Sequence, residues 1–303
     1  MTSKLAYECY NHTIRASYAS LGLAADISAA GLKLFEYSAL ASLSKEAMLD
    51  FCVSRIRSRL GMVSGALLTE FLDQPKIRSV FFQNREILIP ILNKQAIEWY
   101  GSSSIFNFDF MIESFLGMHA NARTIYDIGG HQGIWAAYYS IICGDQGRVY
   151  TFEPSIINIE CSSLLFLINS LENIVNIPFG IGDQTGIINK QESGVLIDFV
   201  EHNIGLLRFD NIFWERADFI KIDIEGFEYE FLKSFNKLFD FCPNVHLELH
   251  IPHLINRGLD YKEVYELIPF DRVNILNYQN GQLTSIGKTD ELSGFCSLLI
   301  TAK

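Results

Sequence analysis

Apolar positions along this chain change their spacing once, and the change divides it in two. Up to about residue 75 the composition is rich in Ala, Leu and Ser, and Leu49, Phe51, Cys52, Val53, Ile56 and Leu60 recur at steps of three and four, the spacing of one helix face. Gly61 follows them as a stop signal, and Arg55, Arg57 and Arg59 read as the solvated side of that helix. From about residue 120, short β-branched runs alternate with helical stretches. The pattern predicts a strand at 124–128, a helix at 134–143, a strand at 148–152, a helix at 156–171 and a third strand within 173–181. A fourth strand at 218–224 precedes a helix at 228–238, and a fifth at 245–249 precedes a helix near 261–267. Strands at 273–276 and 295–301 close the chain. Residues 76–120 show no single period and read as a connector of strand and helix packed on the main domain.

Strands alternating with helices build a mostly parallel sheet covered on both faces, an α/β fold. The last two strands, joined by a polar, Gly-containing stretch, are expected to pair antiparallel. In such sheets ligands bind beyond the carboxyl ends of the strands, at the point where the strand order reverses.

Composition narrows the function classes. With 303 residues, 49% hydrophobic and 19% charged, the chain can bury a substantial core. Its formal net charge of −11, with no Lys/Arg cluster, speaks against holding a nucleic-acid backbone. The cysteines, Cys9, Cys52, Cys143, Cys161, Cys242 and Cys296, are scattered without a CxxC pair, which reads as reduced thiols in a cytoplasmic protein. No signal-peptide pattern and no membrane-spanning run of about 18 apolar residues is found. The sequon at Asn11-His12-Thr13 is therefore read as chance.

The strongest chemical signal is Asp127-Ile128-Gly129-Gly130-His131-Gln132-Gly133, between the first parallel strand and its helix. Glycines there let the backbone turn tightly and approach a ligand, in front of the free N–H groups of a helix start. The spacing is D-x-G-x-x-x-G, not the dinucleotide G-x-G-x-x-G, and an acid at the strand end suits a ligand with an ammonium group. S-Adenosylmethionine carries one. Phe152-Glu153-Pro154 ends the second strand, where Glu153 is placed to accept hydrogen bonds from two ribose hydroxyls. Ile181-Gly182-Asp183 follows the third strand, and Asp183 there can accept from an adenine amino group.

Two further runs carry acids. In Lys221-Ile222-Asp223-Ile224-Glu225-Gly226, strand period places Asp223 and Glu225 on one side. In His246-Leu247-Glu248-Leu249-His250, alternation places His246, Glu248 and His250 together. If the fourth and fifth strands are neighbours, Asp223, Glu225, Glu248 and His250 converge on one pocket. His250 is the candidate general base, because imidazole titrates near working pH. The same four groups could hold a divalent cation, although no metal site is predicted. Gly281 to Thr289 imitates a P-loop but has one residue too many between its glycines and no helix after Thr289.

With these blocks in this order, the chain resembles the FkbM family of methyltransferases over about residues 105–303. The Lys-Ile-Asp-x-Glu-Gly block at 221–226 together with Phe152-Glu153-Pro154 carries the resemblance, with Gly182, Asp183, Gly186 and Leu247 to His250 in support. The family implies a Rossmann-like class I methyltransferase sheet of seven strands, the last antiparallel. A mainly helical N-terminal extension over 1–105 would precede an S-adenosylmethionine-binding domain over 106–303. Asp127, Gly129, His131, Gly133, Glu153 and Asp183 are the expected cofactor contacts. His250 as base, with Asp223 and Glu225 in support, would serve O-methylation of a small-molecule, sugar or lipid hydroxyl. Gly130 stands where the family usually has Ala, a change that reads as mild, and His131 stands where Asn is usual. Two alternatives are a nicotinamide-dependent oxidoreductase, disfavoured by the missing G-x-G-x-x-G, and a non-catalytic cofactor-binding subunit, disfavoured by intact Asp127, Gly129 and Glu153.

Overall fold

The computed structural model describes residues 4–20, 42–63, 68–69, 71–101, 122–189, 203–211, 215–279 and 282–303. Helices α1 (Lys4–Ser20) and α2 (Lys45–Val63) come first. They are followed by β1 (Phe71–Phe82), β2 (Arg85–Asn93) and α3 (Lys94–Tyr100). Next are β3 (Thr124–Ile128), α4 (Ile134–Cys143), β4 (Arg148–Phe152), α5 (Ile156–Ile168) and β5 (Ile174–Ile177). Then come β6 (Gly180–Gly182), β7 (Gly186–Asn189), β8 (Asn203–Arg208) and β9 (Phe219–Ile222). The remainder is α6 (Glu228–Ser234), α7 (Leu238–Phe241), β10 (Asn244–His250), α8 (Ile251–Asn256), α9 (Tyr261–Glu266), β11 (Val273–Gln279), β12 (Gln282–Ser285) and β13 (Phe295–Ala302).

The main sheet has the order β12-β11-β13-β10-β9-β3-β4-β5. Strands β5, β4, β3, β9 and β10 run parallel, and β13 inserts antiparallel between β10 and β11. This is the expected class I topology of seven strands with the last antiparallel, extended at one edge by the short hairpin strand β12. The run Thr124-Ile125-Tyr126-Asp127-Ile128 is buried throughout, as a central strand covered on both faces must be. Strand order reverses at β3, with β4 on one side and β9 on the other, so the carboxyl ends of β3, β4 and β9 form the crevice.

Several elements depart from the sequence pattern for identifiable reasons. The expected third strand is split, because Pro178 cannot donate to a ladder, and Gly180 onward joins a separate sheet of order β6-β8-β7. Gly61 does not stop its helix; α2 continues to Val63, an exposed interior glycine costing only about 1 kcal/mol. Asp223 and Glu225 are not strand residues, since β9 ends at Ile222 and the chain turns through Glu225 (φ +53°) and Gly226 (φ +98°).

The N-terminal segment begins with the expected helices, and the antiparallel hairpin β1–β2 runs from Phe71 into the connector expected at 76–120. The domain boundary expected near residue 105 lies outside the described residues. Helices α1 and α2 pack on α5 through Tyr10, Ile14, Cys52, Ile56, Ile157 and Leu164. Arg59 is not solvated. It is buried in that interface, and its guanidinium donates to Glu160 of α5 at 2.6 and 2.7 Å while Tyr18 Oη donates to the same carboxylate at 3.0 Å. The hairpin is tied to the end of α5 by Asn169, which accepts from Leu88 N and donates to Leu88 O, both at 2.8 Å. All six cysteines are free thiols. No described helix is long and apolar enough to cross a membrane.

Candidate active site

The turn after β3 is built by close approach. Gly129 has φ +86°, and a Cβ there would lie 1.6 Å from the Asp223 carbonyl oxygen. Gly130 faces Thr151 Oγ1, which a Cβ would meet at 1.9 Å. The N–H groups of Gly129 and Gly130 both donate to Phe152 O, at 3.0 and 2.8 Å, and Asp223 N donates to Ile128 O at 2.9 Å. The turn is thereby stitched to the ends of β4 and β9.

Above this turn opens a cavity of about 870 Å³, part of it open to solvent. Gly129, His131 and Glu153 form one side, and Asp223, Ile224, Glu225 and Phe227 another. Pro154, Gly180, Ile181, Ile188, Ile204 and Leu206 supply an apolar wall. The buried Gln95 and the half-exposed Trp99 of α3 complete the lining. An apolar lining beside a buried carboxylate and a glycine turn suits a ligand with both apolar and polar parts.

Glu153 is buried, and its two oxygens accept from the backbone N–H of His131 (2.9 Å) and of Ser155 (2.8 Å). Burial pushes its carboxyl up to about 7, against the pull of those hydrogen bonds. His131 is pushed down to about 4 by burial. Its neutral ring is held between Tyr100 Oη at 2.6 Å and Gln95 Oε1 at 2.8 Å. These partners from α3 carried no motif; the unusual His131 was the one sequence signal pointing to them.

Three expected cofactor contacts are placed outside the cavity lining. Asp127 lies fully buried beneath the turn, with Oδ2 accepting from Thr151 Oγ1 at 3.3 Å and Oδ1 without a partner. Burial raises its carboxyl to about 6. Gly133 (φ +83°) caps α4 and lies against Phe166, 2.6 Å from where its Cβ would be, so it serves packing. Asp183 is exposed after β6, and its carbonyl accepts from Arg208; Gly180 and Ile181 reach the cavity in its place.

The expected acidic convergence exists, centred on buried Lys221. Its ammonium donates to Asp223 Oδ2 at 2.7 Å and lies 3.6 Å from Glu248 Oε1. Although burial opposes charge on Asp223, Lys221 and His250 hold its carboxyl below the usual range. Burial lifts Glu225 to about 7, with Asp223 and Glu228 adding to the shift. Of the four groups, Asp223 and Glu225 line the cavity while Glu248 and His250 stand behind them. His246 stands beside Glu248, 4.0 Å from its Oε1, but outside the cavity lining: it is fully buried, bonded to Ser297 Oγ at 2.7 Å, and pushed down to about 3 by burial and the nearby Lys221.

His250 differs from the expectation of a general base. Burial disfavours its charge, but the hydrogen bond from Nδ1 to Glu228 Oε1 (2.9 Å) and the charges of Asp223, Glu228 and Glu225 outweigh that and push it up to about 9. An imidazole already protonated at neutral pH has no lone pair to offer.

Residues 127–276 match the family model of the methyltransferase FkbM domain. Among curated proteins none matches the sequence. Among solved structures, the chain is similar to the methyltransferase FkbM from Methylobacillus flagellatus KT, with 18% identity, a TM-score of 0.41, and coverage of 59% of this chain and 44% of that one. This chain thus spans less than half the length of that protein. It is also similar to an O-methyltransferase from Bacillus cereus in complex with SAH, at 16% identity and TM-score 0.40 over 66% of this chain and 81% of that one. The O-methyltransferase TomG from Streptomyces achromogenes, involved in tomaymycin synthesis and in complex with SAM, is matched at 10% identity and TM-score 0.42 over 69% and 86%.

Proposed function

From the match of residues 127–276 to the family model of the methyltransferase FkbM domain, we propose that this chain methylates a hydroxyl oxygen of a small molecule, sugar or lipid with S-adenosylmethionine as donor. The observation that carries the proposal is one cavity shared by the glycine turn, the buried Glu153 carboxylate and the two acids Asp223 and Glu225.

The residues fit the donor. Glu153 offers a buried carboxylate to vicinal ribose hydroxyls, and Pro154, Ile181 and Leu206 offer apolar surface to a base. Gly129 brings the backbone to the cavity where any side chain would strike the Asp223 carbonyl. When bound, S-adenosylmethionine supplies a methyl group on a sulfonium leaving group. The protein must then align an acceptor oxygen and receive its proton. The carboxylates of Asp223 and Glu225 face the cavity, and they would accept the hydrogen bond of the acceptor hydroxyl. Lys221 behind Asp223 fixes the orientation of that acid. His250, charged and tied to Glu228, positions the two acids and does not accept the proton. An uncharged or cationic acceptor suits a chain of net charge −11, and nucleic acid does not. Free thiols fit a reducing, cytoplasmic setting.

Calorimetric titration with S-adenosylmethionine and, separately, NADH tests the reading. Saturable binding of the former, abolished in Glu153→Ala, is expected. A folded, cofactor-free sample that binds NADH instead, or neither, would sink it.

A further inference from the structure

Behind the cavity, His250 is more than nine-tenths buried and aims Nε2 at the gap between Asp223 Oδ1 and Glu225 Oε2, 3.5 Å from each. That separation is beyond the normal hydrogen-bond range of about 2.7–3.2 Å, and Nε2 makes no hydrogen bond. The three atoms all lie within 4.8 Å of one another. Donor atoms each about 2.1 Å from one ion stand roughly 3–3.5 Å apart, so little movement would bring these three onto a shared centre.

We infer that Asp223, Glu225 and His250 form a binding site for a divalent cation. Each of the two inner donors is set by a group outside the triad. His250 Nδ1 donates to Glu228 Oε1 at 2.9 Å, which keeps that nitrogen protonated, so the proton an incoming ion would displace is the one on Nε2, the nitrogen that faces the gap. Asp223 Oδ2 is held by Lys221 at 2.7 Å, which leaves Oδ1 turned toward His250. A further nitrogen is at hand: His253 stacks on His250, and its buried Nδ1 lies 3.1 Å from Glu225 Oε2 in an orientation that makes no hydrogen bond.

Charge points the same way. An ion taking Nε2 would displace the proton His250 carries in the empty site; Asp223, Glu225, Glu228 and Glu248 then face the single ammonium of Lys221, and the divalent charge replaces the one lost from the imidazole. One imidazole with two carboxylates suits Mn²⁺, Mg²⁺ or Zn²⁺ and not a soft monovalent ion. Because Asp223 and Glu225 line the cavity, the open coordination positions face it, where an acceptor oxygen would meet the ion in place of a direct hydrogen bond. That last role rests on the methyltransferase reading; the cation site does not.

The test is Mn²⁺ titration of the chelator-stripped full chain, followed by loss of the free-ion paramagnetic resonance signal. S-Adenosylmethionine binding is measured by calorimetry on the same samples. One Mn²⁺ per chain is expected, competed by Mg²⁺ or Zn²⁺, with affinity reduced about tenfold or more in both Glu225→Gln and His250→Gln. Glu225 is partly exposed, so its variant guards against a mere folding loss, and circular dichroism checks both. A folded protein that binds none of the three ions saturably, or binds them equally well in both variants, overturns the site. If S-adenosylmethionine still binds such a protein, the methyltransferase reading survives that failure. If the cation binds and S-adenosylmethionine does not, the converse holds.

Discussion

Glu153 Oε2 accepts the backbone N–H of His131 at 2.9 Å, so the acid ending β4 locks the glycine turn that ends β3. The other oxygen of the same carboxylate accepts Ser155 N at the start of α5. One side chain thereby joins the two loops between which a nucleoside would lie. It does so at the expense of burying a carboxyl whose ionisation is driven up to about 7.

That position yields a pH prediction. The folded-state value of Glu153 lies above its ordinary 4.5, so between 4.5 and about 7 the folded protein holds more protons than the unfolded chain. Its contribution to stability is therefore present below 4.5 and is lost as pH rises through about 7. Ribose hydroxyls donate to the ionised form, so cofactor affinity is expected to move the opposite way, rising over the same window and then levelling. Glu153→Gln should flatten the dependence and weaken binding above that window by about 10- to 100-fold, the worth of hydrogen bonds to a charged group. Calorimetry across a pH series measures both, and an affinity unchanged across the window in the native protein would remove Glu153 from the contact.

The two glycines of the turn predict different outcomes. Gly129→Ala places a methyl group 1.6 Å from a backbone oxygen at positive φ, which no side-chain movement relieves. Loss of cofactor binding and a drop in melting temperature are expected together. Gly130→Ala, although Ala is usual in the family, meets Thr151 Oγ1 at 1.9 Å. The double variant Gly130→Ala/Thr151→Ala should recover most of the stability lost by the single change, because the obstacle is one side chain. Thermal melts of the singles and the double decide it; no recovery would show that backbone, not Thr151, demands glycine at 130.

Much of this architecture was legible in the sequence where one local rule dominated. The strands ending in Ile128 and Phe152 and the helix 134–143 are bounded by glycines or a proline, and hydrophobic runs between such stops leave one reading. Glu153, Gly129, Asp223 and Glu225 are legible as cavity-lining residues because they follow strand ends, where the crevice of a parallel sheet opens. What was not legible depended on distance in sequence. Gln95, Trp99 and Tyr100 reach the site only through a hairpin that docks on Asn169. Alternation placed His246 beside His250, yet their environments differ: Ser297 and Lys221 near one, three carboxylates around the other. Asp183 obeyed a rule of position but lies on a turn facing solvent.

The buried pair Arg59–Glu160 predicts how firmly the N-terminal helices are attached. Removing one partner leaves an uncompensated charge inside the interface of α1, α2 and α5, so Arg59→Met should cost about 3–5 kcal/mol. Replacing both, as Arg59→Met/Glu160→Met, should cost clearly less than the sum of the singles, since neither charge is then stranded. Urea unfolding of the four proteins gives the coupling. Strict additivity would mean that the pair exchanges with water and does not hold the helices to α5.

His131 makes one link from the N-terminal segment to the glycine turn, beside that of Gln132 to Asn93, and its replacement by the Asn usual in the family tests it. The backbone at 131 has φ +49°, which Asn tolerates better than most residues, so the turn itself should survive His131→Asn. What the substitution removes is the ring that accepts from Tyr100 Oη and reaches Gln95 Oε1. Tyr100 is buried, so its hydroxyl would lose its acceptor, at a penalty of about 1–3 kcal/mol. Adding Tyr100→Phe removes the stranded hydroxyl, and the double variant should therefore be more stable than His131→Asn alone. Cofactor affinity should change little in either, because the His131 backbone N–H to Glu153 remains. Denaturant melts and cofactor titrations on the two variants test this together: a double variant less stable than the single would show that Tyr100 holds α3 by some contact other than His131.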